Sequence, residues 1–175
     1  MEKHGAMTVS LREARAGDRD AIVALTLAAY QEYAQVPIWA PYRQNILATL
    51  ANPQPAIQLV AESDATIVGT VLLYPARPAG TAAAPGQGRW PEVRLLAVAP
   101  SARGQGVAHA LMQECVRRAR DARAEALTLH TVPAMRAAVR LYTRMGFQPA
   151  PDLDFQPAPG FTVNGYRLTL GPPIE

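Results

Sequence analysis

The chain is poor in the residues from which cross-links and metal clusters are built. Cys115 is its only cysteine, so neither an intrachain disulfide nor a cysteine-based metal cluster can form, and no metal site is expected. Lys3 is its only lysine, and the rest of its seventeen basic residues are arginines. They are scattered along the chain, and the net charge is only +3. A nucleic-acid binder concentrates positive charge on one face, so no nucleic-acid partner is expected. No run approaches the roughly eighteen continuous apolar residues of a membrane span, so no membrane partner is expected either. Met1–Ser10 carries Lys3 and His4 but no apolar core of a leader. A signal peptide is therefore not expected, and a cytoplasmic location follows as the default. Charged residues make up only 18% against 49% hydrophobic, a balance that favours a packed core over disorder. At 175 residues one domain over 1–175 is expected, large enough to be stable without staples.

Periodicity predicts the elements. Val9–Arg12 reads as a strand. Asp18 suits a helix N-cap, followed by Ile22, Leu25 and Ala29 at helical spacing. The aromatics Tyr30, Tyr33, Trp39 and Tyr42 come next, and a second helix is predicted over Tyr42–Leu50, ending before Pro53. Ile57–Ala61 and Thr66–Tyr74 form a predicted hairpin around Glu62-Ser63-Asp64-Ala65. Pro75–Pro91 is Pro-, Gly- and Ala-rich and reads as a loop. Glu92–Val98 is a strand stopped by Pro100. Val107–Ala122 is an amphipathic helix with Leu111, Met112, Cys115, Val116 and Ala119 on its apolar stripe, so Cys115 is read as a core residue. Ala126–Thr131 is a strand. A further helix is expected to start at Pro133 and stop at Gly146, and Val163–Leu170 is the last strand. The strand–helix–strand over 92–131 requires a right-handed crossover and a locally parallel pair. No internal repeat is present.

The segment that carries chemistry is Val98-Ala99-Pro100-Ser101-Ala102-Arg103-Gly104-Gln105-Gly106-Val107-Ala108. It joins a strand end to a helix through a turn rich in glycine. A helix N-terminus offers unpaired N–H groups and a favourable dipole to an anion. Glycines let the backbone approach a diphosphate closely, and Arg103 adds a charged fork. A P-loop would need Gly-Lys-Ser/Thr, which is absent. A dinucleotide fingerprint would need a third glycine where His109 stands. The segment therefore reads as a pyrophosphate cradle of another kind.

With its Val-x-Pro and Arg-Gly-x-Gly-x-Ala spacing, this segment resembles the signature of the Gcn5-related N-acetyltransferases, the GNAT family. Ala138-Val139-Arg140-Leu141-Tyr142, followed by Gly146-Phe147, resembles that family's second signature, and Val9–Leu27 resembles its opening strand and helix. The resemblance covers about residues 8–170. It implies the acyl-CoA N-acyltransferase fold, an α/β (α+β) architecture. Its sheet is mixed and mostly antiparallel, of about six to seven strands, with helices on both faces and a splay at the central parallel pair, 92–98 and 126–131. It implies acetyl-CoA as co-substrate, with pantetheine along Leu96, Ala97 and Val98. The diphosphate would meet Arg103, Gly104, Gln105, Gly106, Val107 and Ala108, and Met135 and Ala138 would lie beside the cofactor. Met135 stands where many members carry an asparagine that helps to hold it. The implied reaction is direct attack of a small-molecule amine on the thioester, with Glu92 as general base and Tyr142 as general acid.

Each role has a plainer reading beside it. Tyr142 can be a packed aromatic, and Glu92 a solvated residue at a strand start. Asp152 and Asp154 are turn formers or alternative bases. His130 is a site-lining or a structural histidine. Arg136, Arg140 and Arg144 form a solvated row or a contact for the CoA 3′-phosphate. The four aromatics at 30–42 wall an acceptor pocket or simply pack. A peptide N-acetyltransferase and an acyl-CoA-binding module without turnover are the alternative functions, and the oligomer considered is a homodimer.

Overall fold

The computed structural model describes residues 7–81 and 88–172. Lys3, His4 and the middle of the 75–91 loop lie outside the described residues. Eight strands and four α-helices follow in the order β1 (Ser10–Glu13), α1 (Arg19–Tyr30), α2 (Trp39–Ala51), β2 (Ile57–Ser63), β3 (Thr66–Tyr74), β4 (Glu92–Val98), α3 (Val107–Asp121), β5 (Ala126–Thr131), α4 (Arg136–Arg144), β6 (Gln148–Pro149), β7 (Phe155–Ala158) and β8 (Phe161–Thr169). The strands are mostly paired antiparallel, with one parallel pair, β4 with β5. The short β6 and β7 take the number above the six to seven expected.

Contacts divide the chain into two compact units, one of residues 1–73 with 95–114 and one of 74–94 with 115–175. Neither is contiguous in sequence: the division falls inside β4 and inside α3.

In the first unit the strand order is β1-β2-β3-β4. The hairpin closes on two residues, Asp64 and Ala65, both at positive φ (49° and 61°), so β2 runs to Ser63 and the turn is tighter than the four-residue link expected. Two consecutive left-handed residues match the right-handed twist of the flanking strands. Val60, Val71, Leu72 and Ala97 are buried, with Ile22, Leu25, Ile46 and Leu50 from α1 and α2 and Val107 and Leu111 from α3. Gly69 sets how closely α3 can lie against the strands. A Cβ there would stand 2.7 Å from Val107 Cγ1 and 3.0 Å from Leu111 Cδ1. Asp18 precedes α1 as expected, but its carboxylate does not cap the helix. It takes two bonds from Arg12 (2.7 and 3.1 Å) and one from the Arg15 N–H at 2.7 Å, while Arg12 also reaches Glu62 at 2.6 Å.

In the second unit the order is β4-β5-β8-β6, with β7 also on β8. The parallel ladder is short: Glu92 stands opposite Thr128 and Val93 opposite Leu129. α4 begins at Arg136 and not at Pro133. The Met135 N–H closes a turn on the Val132 carbonyl (3.0 Å), and Met135 itself, at φ −81° and ψ 62°, is not helical. The other end of α4 is a Schellman cap. Gly146 at φ 96° bonds to the Thr143 carbonyl (3.1 Å), and Phe147 bonds to the Tyr142 carbonyl (3.0 Å). This cap is accompanied by a contact between the residues at its two ends. Here they are Tyr142 and Phe147, with ring centroids 5.8 Å apart.

Candidate active site

The first unit holds the residues expected to meet the cofactor apart from Met135 and Ala138, which belong to the second. Pro100–Ala102 form a single 3₁₀ turn after β4, Arg103 is extended, and Gly104 and Gly106 follow at φ 73° and 84°. Left-handed backbone is costly for a residue with a Cβ, so the local path demands these two glycines. The path delivers the chain into α3, whose first internal bond runs from the Ala110 N–H to the Gly106 carbonyl (3.0 Å). The N–H groups of Val107, Ala108 and His109 therefore have no acceptor inside the helix. A Cβ on Gly104 or Gly106 would meet nothing within 4 Å. The space above both glycines is open, so it is the backbone path, and no packing against other residues, that calls for glycine there. A concave run of backbone donors with open space over two glycines fits a diphosphate.

Arg103 is placed differently from a free phosphate fork. Its Nη2 donates to the Ala29 carbonyl at the end of α1 (3.0 Å) and pairs with Glu32 at 2.9 Å. Both side chains are nearly half exposed, so solvent screens the pair and it holds the arginine only weakly. Leu96, Ala97 and Val98 lie just beyond Leu95, a non-glycine residue at φ 50°. Such a residue costs on the order of 1–3 kcal/mol and marks sites where the backbone is bent for a purpose. No glycine or asparagine stands at this position to signal its positive φ. The Leu96 carbonyl accepts from the Tyr30 hydroxyl at 3.2 Å. Tyr30 in turn meets Tyr33 and Tyr42 edge-on, with centroids 6.2 and 6.0 Å away, and Trp39 meets Tyr42 at 6.3 Å. The four aromatics form one packed group tied to β4.

The second unit holds the residues expected to move protons. Glu92 opens β4 and is buried, 7% exposed, which removes the reading of a solvated strand end. Its Oε1 lies 2.8 Å from His130 Nδ1, and its Oε2 accepts from Arg94 Nη2 at 3.1 Å. The parallel register explains the first bond: Thr128 stands opposite Glu92, and His130 is two residues further on the same face of β5. Arg94 lies over the Tyr74 ring, 4.9 Å from its centroid. Burial by itself would lift the carboxyl of Glu92, but the bonds from His130 and Arg94 outweigh it and hold Glu92 below the ordinary carboxylate range. Burial likewise opposes charge on His130, and its bonds to Glu92 and Leu153 reverse the balance and lift it above its ordinary value.

Tyr142 is buried, 6% exposed, on the side of α4 that also carries the partly buried Ala138 and Val139; Met135, just before the helix, is partly buried too. Arg136, Arg140 and Arg144 are exposed on the other side. Met135, where the signature has asparagine, accepts from the Thr131 hydroxyl through its sulfur at 3.6 Å. Asp152 pairs with Arg167 at 2.6 Å. Asp154 accepts from the Gly165 N–H at 2.7 Å and from Asn164 at 3.4 Å. Both aspartates are thus engaged in holding the turn against β8. Cys115 is fully buried. Among the described residues no three His, Cys, Asp or Glu side chains are grouped to hold a metal ion, and no helix is long and apolar enough to cross a membrane.

Comparison with known proteins identifies the family and the fold. The profile of the acetyltransferase (GNAT) family matches residues 20–147. No curated protein matches the chain. Among solved structures, a GNAT-family acetyltransferase from Staphylococcus aureus Mu50 superposes with a TM-score of 0.73 at 14% identity, over 94% of this chain and 100% of that one. A GNAT-family acetyltransferase from Brucella melitensis in complex with acetyl-CoA gives 0.65 at 22% identity, over 96% and 92%. The structure of yncA from Salmonella typhimurium with its cofactor acetyl-CoA gives 0.66 at 20%, over 94% and 95%. At these identities the structures establish a shared fold.

Proposed function

This chain belongs to the GNAT acetyltransferase family, and from that premise we propose that it transfers the acetyl group of acetyl-CoA to a primary amine of a small molecule. The observation that carries the reading is the entry into α3. Two glycines at positive φ, with open space where side chains would be, lead into a helix N-terminus. Arg103 to Ala108 would hold the diphosphate, Leu96 to Val98 would offer backbone partners to the pantetheine, and Met135 and Ala138 would flank it. The cofactor supplies an acetyl thioester, and the rest of the chemistry is proton handling by the chain.

Tyr142 keeps a proton at its phenolic oxygen for the departing sulfur. Its ring is held by the helix cap through Phe147, which fixes where that proton is presented. Glu92 provides the acceptor for the proton that the ammonium must lose. The aromatic group Tyr30, Tyr33, Trp39 and Tyr42, tied to β4 through the Leu96 carbonyl, would wall the acceptor side of the site. The test is release of CoA thiol from acetyl-CoA across a panel of small amines and short peptides. Turnover with small amines supports the reading. Turnover confined to peptides would replace it with a peptide N-acetyltransferase, and tight acetyl-CoA binding without turnover would replace it with a binding module.

A further inference from the structure

Glu92 alone is a poor proton acceptor at neutral pH, because the Arg94 guanidinium donates to its Oε2 and its Oε1 lies 2.8 Å from a nitrogen of a cation-forming ring. A carboxylate so held stays ionised and gives up any proton it receives. A useful general base binds its proton near the working pH. The second unit contains a group that can supply this, and nothing in the family signatures marks it. His130 touches Glu92 with one ring nitrogen, while its Nε2 lies 2.9 Å from the Leu153 carbonyl. The Leu153 carbonyl and the ionised Glu92 carboxylate can both only accept, so a neutral His130, with one N–H, serves one of them and turns a bare nitrogen to the other. The tautomer that donates from Nε2 to Leu153 leaves Nδ1, 2.8 Å from Glu92 Oε1, able to take a proton from it. Only the imidazolium donates to both.

We propose that Glu92 and His130 form a proton relay, in which Glu92 meets the amine and His130 stores the proton. This rests on the reading that the acceptor amine reaches Glu92. The N–H bond of the ammonium breaks and its electron pair stays on nitrogen, free to attack. The proton is received on a lone pair of Oε1, directly or through one water. A turn of the C–OH bond then points it at Nδ1, where it remains. Glu92 ends as the carboxylate it was, held by Arg94, and His130 ends as imidazolium between Glu92 and Leu153. His130 never touches the amine; it is a positioning residue that acts through Glu92.

The surroundings suit this division. The groups facing the pair are Arg94, which opposes charge on His130 and favours it on Glu92, the Leu153 carbonyl, and the ring of Phe155, edge-on to His130 at 5.3 Å. The nearby aspartates are already committed, Asp154 to Gly165 and Asn164 and Asp152 to Arg167. Leu153 sits close because Gly165, opposite His130 in the β5–β8 ladder, has no side chain. A Cβ there would collide with Leu153.

The experiment pairs kcat/KM profiles, taken with primary amines of graded basicity, with an NMR titration of the histidine ring protons. The chain has three histidines, so loss of one signal in H130Q assigns His130. The proposal predicts a fall in kcat/KM on acidification, with a midpoint above 6.5 that stays fixed as the amine changes. His130 should titrate at the same midpoint, and Glu92→Gln should lower it. H130Q should remove this limb and cost roughly 10²-fold at pH 7. Gly165→Ala, which displaces the Leu153 carbonyl, should keep the limb but move it to lower pH, and it serves if H130Q fails to fold. A limb that follows the basicity of the amine, or persists in H130Q, overturns the relay. So does a His130 titration below 6.5. Absence of turnover with every amine would instead overturn the acetyltransferase reading, and the NMR midpoint would still report whether the pair shares a proton.

Discussion

The two units are built from different materials. In the first, the features that suit a cofactor are backbone: left-handed glycines at 104 and 106, the leading N–H groups of α3, and the kinked strand after Leu95. In the second, the features that suit catalysis are side chains held in place by other side chains, Glu92 by His130 and Arg94 and Tyr142 by Phe147. Each unit is therefore fragile in a different way. A backbone site tolerates exchange of its side chains but not an added Cβ where φ is positive. A side-chain site tolerates shape-preserving changes nearby but not the loss of one polar atom.

The largest effect should come from removing such an atom. Tyr142→Phe keeps the ring and its contact with Phe147 but removes the proton at the phenolic oxygen. Acetyl transfer should slow about 10²-fold or more when chemistry limits the rate, while calorimetric affinity for CoA changes little. Full activity in Tyr142→Phe would show that the thiolate leaves without this acid, and the contrast between the units would lose its second half.

The converse experiment acts on the first unit. Gly106→Val places a branched side chain at φ 84° and fills the open space above it. Affinity for CoA should fall by about tenfold or more, equivalent to at least ~1.4 kcal/mol, while the Glu92–His130 pair titrates as before. Unchanged CoA affinity in a folded Gly106→Val protein would remove the diphosphate from this turn.

Gly69→Ala should give a smaller effect and sharpen the comparison, because it lies outside both sites. Its Cβ would press on Val107 and Leu111, and overpacking of this kind costs about 1–3 kcal/mol. Thermal denaturation should show lower stability, and CoA affinity should fall a few-fold because the first turn of α3 is displaced. A gain in stability would show that α3 can move away without loss.

The smallest effect concerns Asp18, held by Arg12 and by the Arg15 N–H at a pKa of about 2 against an ordinary 3.8. Since its folded value is depressed, its contribution to stability is complete above about 4 and is lost as pH falls toward 2. Asp18→Asn should flatten the acid side of the stability profile in that window and leave neutral-pH activity intact. An unchanged acid profile would show that the cluster with Arg12 and Glu62 does not couple to folding.

Much of this was legible from local pattern, for identifiable reasons. The bounds of β4 and β5 coincide with those read from the sequence because proline and polar residues flank apolar runs. The glycine turn before α3 and the stop at Gly146 were readable because each position needs positive φ, which glycine advertises. Where other residues adopt that conformation, at Leu95 and Ala65, the sequence is silent. The start of α4 was misplaced because Pro133 is a good first helical residue, yet the Val132–Met135 turn uses it up. The Glu92–His130 contact joins residues thirty-eight positions apart through a parallel register that no local pattern encodes. Arg103 was readable as a cation beside the cradle, but not its engagement with Glu32 and the end of α1.

On the proposed function, the backbone cradle of the first unit and the proton-handling side chains of the second serve one reaction, acetyl transfer to an amine. The most direct test is thiol release from acetyl-CoA with a turned-over small amine, measured for the wild-type protein, Gly106→Val and Tyr142→Phe alongside CoA calorimetry. Turnover is expected in the wild type, loss of affinity in the first variant, and loss of rate at unchanged affinity in the second. Wild-type protein that binds acetyl-CoA but acetylates no amine would contradict the proposed function.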